Sequence, residues 1–111
     1  MLIRDVAQRA VFSSAKMGKA ELCRAGFVYA GLNCFRPGQA HQAHAHAGQD
    51  KLYYIVEGLG EATVGQETYA VAAGDLVLAP ADVLHSMKNT GTLDLVVLVV
   101  LSPPPAVKPV D

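Results

Sequence analysis

The residues with the clearest chemical capacity are the histidines. The chain has four, and three of them crowd into one short stretch as His41, His44 and His46. His44 and His46 stand one residue apart. On a strand, where side chains alternate between faces, both rings point the same way and form a chelating pair. The fourth, His85, opens a second β-rich stretch over residues 74–89. A neutral imidazole is a good ligand for several first-row transition metals, so the pattern points to metal chemistry more than to acid–base chemistry. By the same parity His41 faces away from His44 and His46, and it is expected at the surface or the rim.

These side chains need elements to hold them, and the chain supplies short strands. Runs rich in apolar and β-forming residues are predicted over 20–24, 27–35, 40–46, 52–57, 61–64, 68–71, 76–79, 84–88 and 93–101. Turn signals separate them: Pro37-Gly38, Ala47-Gly48, Gly58-Leu59-Gly60, Gly65-Gln66, Gly74-Asp75, Pro80-Ala81-Asp82 and Asn89-Thr90-Gly91. No long helical period interrupts the series. The pattern predicts an all-β antiparallel sandwich or small barrel. Residues 1–19 read as an N-terminal arm or edge strand, 20–101 as the barrel, and 102–111 as a proline-rich tail. The tail cannot join a ladder and is expected to be extended and poorly ordered.

With 111 residues and a formal net charge of −1, the chain is sized for one domain. It has no basic stripe interleaved with aromatics, so nucleic acid is not an expected partner. Its longest apolar run, 95–101, is too short to cross a bilayer as a helix. The N-terminus, MLIRDVAQRA, has no apolar core region and is not expected to be a signal peptide. Two cysteines, Cys23 and Cys34, form no disulfide framework, which suits a reducing cytoplasm. Residues 95–101 are apolar at both parities, whereas a strand buried on one side would alternate. One face fills a barrel. The other, with an outward set at Leu52, Tyr54 and Val56, is expected to pack against a second copy, giving a homodimer in which residues before Ala20 are candidates for exchange.

The two histidine-bearing stretches resemble the two motifs of the cupin superfamily. In the first, G-x5-H-x-H-x3,4-E-x6-G, the positions are filled by Gly38, His44, His46 and Gly58. In the second, G-x5-P-x-G-x2-H-x3-N, they are filled by Gly74, Pro80, His85 and Asn89, with Asp82 where the family usually has glycine. The resemblance spans about residues 20–101 and implies a cupin jelly-roll barrel, a double-stranded β-helix, with a metal at its centre. It implies His44, His46 and His85 as ligands of a divalent ion: iron, manganese, nickel or zinc. Lys51 stands where the family has its glutamate ligand. A protonated lysine has no lone pair to offer, so Gln49 and Asp50 beside it are the weaker ligand candidates. Lys51 either snorkels to the barrel mouth or points inward to meet an anionic group of a ligand. Tyr53 shares its face and could offer a hydroxyl; these two are the candidate catalytic residues. Asn89 is expected to cap a turn.

A three-histidine site without the glutamate is similar to that of the cupin-like thiol dioxygenases. The resemblance therefore implies a metal-dependent enzyme acting on a small polar molecule, of dioxygenase, isomerase or decarboxylase type. The alternative is a non-catalytic cupin that binds or senses a small ligand, with or without a metal.

Overall fold

A computed structural model of the protein describes residues 1–107. The last part of the proline-rich tail, 108–111, lies outside the described residues. A 3-10 turn at Val6–Arg9 is followed by nine strands: β1 (Gly18–Arg24), β2 (Tyr29–Phe35), β3 (Ala40–His44), β4 (Asp50–Glu57), β5 (Leu59–Val64), β6 (Glu67–Ala72), β7 (Leu76–Ala79), β8 (His85–Asn89) and β9 (Leu95–Ser102). They form two antiparallel sheets, of order β1-β2-β9-β4-β7 and β3-β8-β5-β6, which close face to face as a jelly-roll barrel. This is the all-β architecture expected from the spacing of strands and turns.

Alternation decides what fills the barrel. Phe35 on β2, Tyr53 and Ile55 on β4, Ala62 on β5, Met87 on β8, and Leu95, Val97 and Val99 on β9 point inward and form one buried cluster. The opposite parity of β2 and β9, Leu32, Cys34 and Val96, forms a second cluster on the outer face of the five-stranded sheet. Both faces of β9 are thus buried, as its unbroken apolar run requires.

The cover for that second cluster differs from expectation. Ala10 and Phe12 of the chain's own N-terminal arm pack against it. Arg36 lies over the Phe12 ring at 4.4 Å, and the Gln39 amide donates to the Ser13 carbonyl at 2.7 Å. The arm is drawn in because Phe12 packs its ring on an apolar face of the same chain, whose nearest buried member, Leu32, is 20 residues on, so the contact needs only an intramolecular loop closure.

Glycine enforces the corner where the chain leaves one sheet for the other. Gly58 (φ +94) links β4 to β5, and a Cβ there would run into the Asp94 carbonyl and come within 2.9 Å of Leu95 Cα. Leu59, read from the sequence as part of a tight turn, already begins β5, because the link is a change of sheet and not a hairpin. The tail also departs from expectation in its first residues. The Gln49 amide donates to the Pro103 carbonyl at 2.9 Å and Arg24 to that of Pro105 at 2.7 Å, so prolines that cannot donate to a ladder still accept from its edge.

Candidate metal centre

His44 ends β3 and His85 begins β8, directly opposite it in the ladder. His46 lies just beyond β3, in a loop turned back by Gly48 (φ +67). It does not share a strand with His44, as the H-x-H spacing suggested, because β3 stops at His44. Its position is set by the second motif instead: Asp82 N–H donates to the His46 carbonyl at 3.1 Å. Asp82 adopts φ +68, a left-handed conformation that glycine takes freely and aspartate tolerates. That accounts for a residue other than glycine at this motif position.

The three rings converge. Centroids of His44 and His85 are 4.3 Å apart, His44 and His46 4.8 Å, and His46 and His85 6.1 Å. One ring nitrogen from each lies within 4.8 Å of the others, a group that could hold a metal ion. The tautomers favour it. His44 Nδ1 is 2.7 Å from the Gln42 carbonyl and His85 Nδ1 is 3.0 Å from that of Val83. A carbonyl oxygen only accepts, so each Nδ1 carries the proton and each Nε2 keeps its lone pair. The Nε2 of His85 is buried with no hydrogen-bond partner among the described residues, an arrangement that is costly unless something coordinates it. Burial holds the His85 imidazole below its usual range, partly offset by the Val83 carbonyl; burial, then His44, lowers that of His46. Both shifts keep the rings neutral. The donor set fits a divalent transition metal.

The other candidates separate. Lys51 is inward and 5% exposed, with Nζ 4.6 Å from the centre of the Tyr53 ring. Burial, and next the charge of Lys19, pulls its ammonium down to about 8. Tyr53 is wholly buried in the core with its hydroxyl unpartnered among the described residues, and burial raises its pKa. Asp50 stands apart from the histidines. Its carboxylate accepts from the Ala81 N–H at 2.8 Å, on the outward parity of β4 that alternation assigned to it. Gln49 lines the cavity beside His44 and His46, with its amide nitrogen committed to Pro103. Asn89 caps the 89–91 turn as expected, donating to Phe35 and Leu93 carbonyls and accepting from Gly91 N–H.

His41 is the residue that parity misplaced. It pairs with Met87 while His44 pairs with His85. Three positions on β3 thus match two on β8, and the extra residue forms a bulge that turns both histidines inward. The His41 ring lies 4.3 Å from that of His44 and lines the same cavity. Burial, then Lys51, hold it down to about 3. No feature of the sequence marks the bulge.

Comparison with known proteins supplies the family. The model for the cupin domain matches residues 31–101. A 74-residue stretch is 43% identical to an uncharacterized protein of Streptomyces coelicolor, covering 67% of this chain and 69% of that one. A 5-nitrosalicylic acid 1,2-dioxygenase of Bradyrhizobium is 33% identical over 73 residues, 66% of this chain and 35% of the dioxygenase. An oxalate-binding protein of Thermotoga maritima is 34% identical over 65 residues, 59% and 54% of the two chains. The match thus spans about half the length, or less, of those two relatives. In structure, the chain superposes on the TT1209 protein of Thermus thermophilus with a TM-score of 0.90 at 34% identity, covering 95% of this chain and all of that one.

Proposed function

The chain belongs to the cupin domain family, and from that premise we propose that it is a small metal-dependent enzyme acting on a small polar molecule, of dioxygenase, isomerase or decarboxylase type. The observation that carries the reading is the convergence of His44, His46 and His85 with Nδ1 of two of them tied to carbonyls. A divalent ion such as iron, manganese, nickel or zinc, held by those three imidazoles, supplies Lewis-acid or O2 chemistry to a molecule bound beside it. The chain's own residues do the rest. Gln42 and Val83 carbonyls orient His44 and His85. Lys51 and His41 present polar groups to the ligand. Tyr53 and Met87 belong to the buried core of the barrel, and Pro105 lines the cavity. Similarity to a dioxygenase supports the catalytic reading.

A second reading is a non-catalytic cupin that binds or senses a small ligand, metal-bound or metal-free. Lysine in place of the family's glutamate ligand favours it, as does similarity to an oxalate-binding protein. Elemental analysis of the purified protein tests the centre: we expect about one divalent ion per chain, and His44→Ala should lose most of it while its far-UV spectrum stays that of a β-barrel. Unchanged metal in that variant rules out the assignment. An O2-uptake screen with thiols and diketones then separates the oxygenase branch from binding alone.

The proposal extends to a homodimer in the cytoplasm. No helix among the described residues is long and apolar enough to cross a membrane, and Cys23 and Cys34 are both free thiols, as a reducing compartment allows. The dimer is supported by an outward apolar face: Leu76 pairs with Tyr54 and Tyr54 with Leu98, while Leu78 pairs with Leu52 and Leu52 with Val100. Leu76 is 63% exposed and Leu78 57%.

A further inference from the structure

A cavity of about 390 Å³ runs from His44 and His46 to Lys19, Asn33 and Lys51. Its polar end is built on four neighbouring strands, β1-β2-β9-β4. Lys19 on β1 stands directly opposite Asn33 on β2, and Lys51 stands opposite Leu101 on β9. Asn33 shares the inward parity of Phe35 and is 4% exposed, and Lys51 is 5% exposed. No carboxylate of the described residues lines the cavity. The ion pairs among those residues lie elsewhere, at Arg24–Glu21 and Arg36–Asp94. A buried ammonium with no anionic partner is unfavourable, and the Tyr53 ring face compensates it only weakly. The histidine group adds further positive charge once it holds an ion. In relatives that carry the motif glutamate, the chain itself supplies negative charge at this position. Here the wall that the described residues build is cationic, and a bound anion would balance it.

On the reading of this barrel as a small-ligand site, we propose that the cavity takes a small organic acid, with its carboxylate held by Lys51, the approach favoured by Lys19, and Asn33 adding a polar wall. One buried ammonium balances the single charge of a carboxylate. A phosphate, with more charge and more oxygens, is commonly met by guanidinium groups, and no arginine of the described residues lines this cavity. A neutral polyol would leave the ammonium uncompensated. The bound acid then lies within reach of the His44–His46–His85 group, so Lys51 selects the class of molecule that the centre receives.

Calorimetric titration of the full chain, metal-free and zinc-loaded, tests this with acetate, pyruvate, malonate and benzoate against the methyl esters of the same acids and against inorganic phosphate. At least one acid should bind tenfold or more tightly than its ester. Lys51→Met should weaken that acid tenfold or more and leave the ester unchanged. Lys51→Gln, which keeps a polar side chain of similar reach without the charge, should do the same. No acid binding at 10 mM, equal binding of acid and ester, undiminished acid binding by Lys51→Met, or phosphate bound as tightly as the best acid would each overturn the proposal. Zinc content is read separately on every sample. Zinc bound without Lys51-dependent acid binding leaves the metal centre and removes the anion site; acid binding that depends on Lys51 in a protein that takes up no zinc does the reverse.

Discussion

Lys51 carries a stability signature as well as a binding role. In the folded chain its ammonium is pulled from 10.5 to about 8, first by burial and then by Lys19. Below about pH 8 both the folded and the unfolded chain hold this proton, and the buried charge lowers stability by a constant amount. Between about pH 8 and 10.5 only the unfolded chain keeps it, so this contribution to stability rises with pH. A shift of that size corresponds to on the order of 3 kcal/mol. Without organic acids, Lys51→Met should therefore be more stable than wild type at pH 7 by on the order of 2–3 kcal/mol, and the two should converge near pH 10.5. Urea unfolding across that range measures the gap, and a gap that does not change with pH would show that Lys51 keeps its proton throughout. His41 acts in the opposite pH range. Its imidazole is held down to about 3, so between there and about 6.5 the unfolded chain alone takes up the proton, and stability falls as the solution is acidified.

At the level of elements, the corners and the bulge set the site. Gly58 turns the chain from β4 into β5 with a left-handed φ and with the backbone of Asp94 and Leu95 packed where a side chain would go. Gly74 has a similar φ (+95) but open space around it. Gly58→Ala should cost at least about 2 kcal/mol, from φ strain and collision together, while Gly74→Ala should cost only about 1 kcal/mol, from φ strain alone. Equal losses in denaturant unfolding would mean that the close approach at Gly58 relaxes freely. The bulge on β3 works in the other direction. It adds a residue between His41 and His44, so that both rings enter the barrel against an even-spaced partner strand.

For the whole molecule, the N-terminal arm changes which surface a second copy would meet. Phe12 and Ala10 cover Leu32, Cys34 and Val96, so the face left open is the far half of the same sheet, where Leu76, Tyr54 and Leu78 are exposed. Burying several such side chains yields about 25 cal/mol for each Å² removed from water, and a two-fold axis through that face lets one patch serve both partners. Sedimentation at micromolar concentration should give a dimer, and the pair Leu76→Glu and Leu78→Glu should give a folded monomer. A monomeric wild type would show that the face stays in water.

The succession of strands and turns and the outward set on β4 were legible in the chain because they rest on local rules, and the grouping of His44, His46 and His85 was legible through the resemblance to the two cupin motifs. Alternation sorts Leu32 and Cys34 from Phe35, and glycine or proline marks nearly every corner. The turn-capping role of Asn89 follows from its place in the motif and is confirmed by its three hydrogen bonds. Tertiary packing decided the rest. The inward turn of His41 depends on a one-residue mismatch between β3 and β8, which exists only once they are paired. The burial of Val96 depends on where the N-terminal arm packs. The choice between a snorkelling and an inward Lys51 depends on the depth of the barrel at β4, which places that ammonium in a cavity with Lys19 and Asn33 and, among the described residues, without an acid in its lining. Local pattern fixes the face a residue occupies; only the assembled sheets fix what stands opposite it.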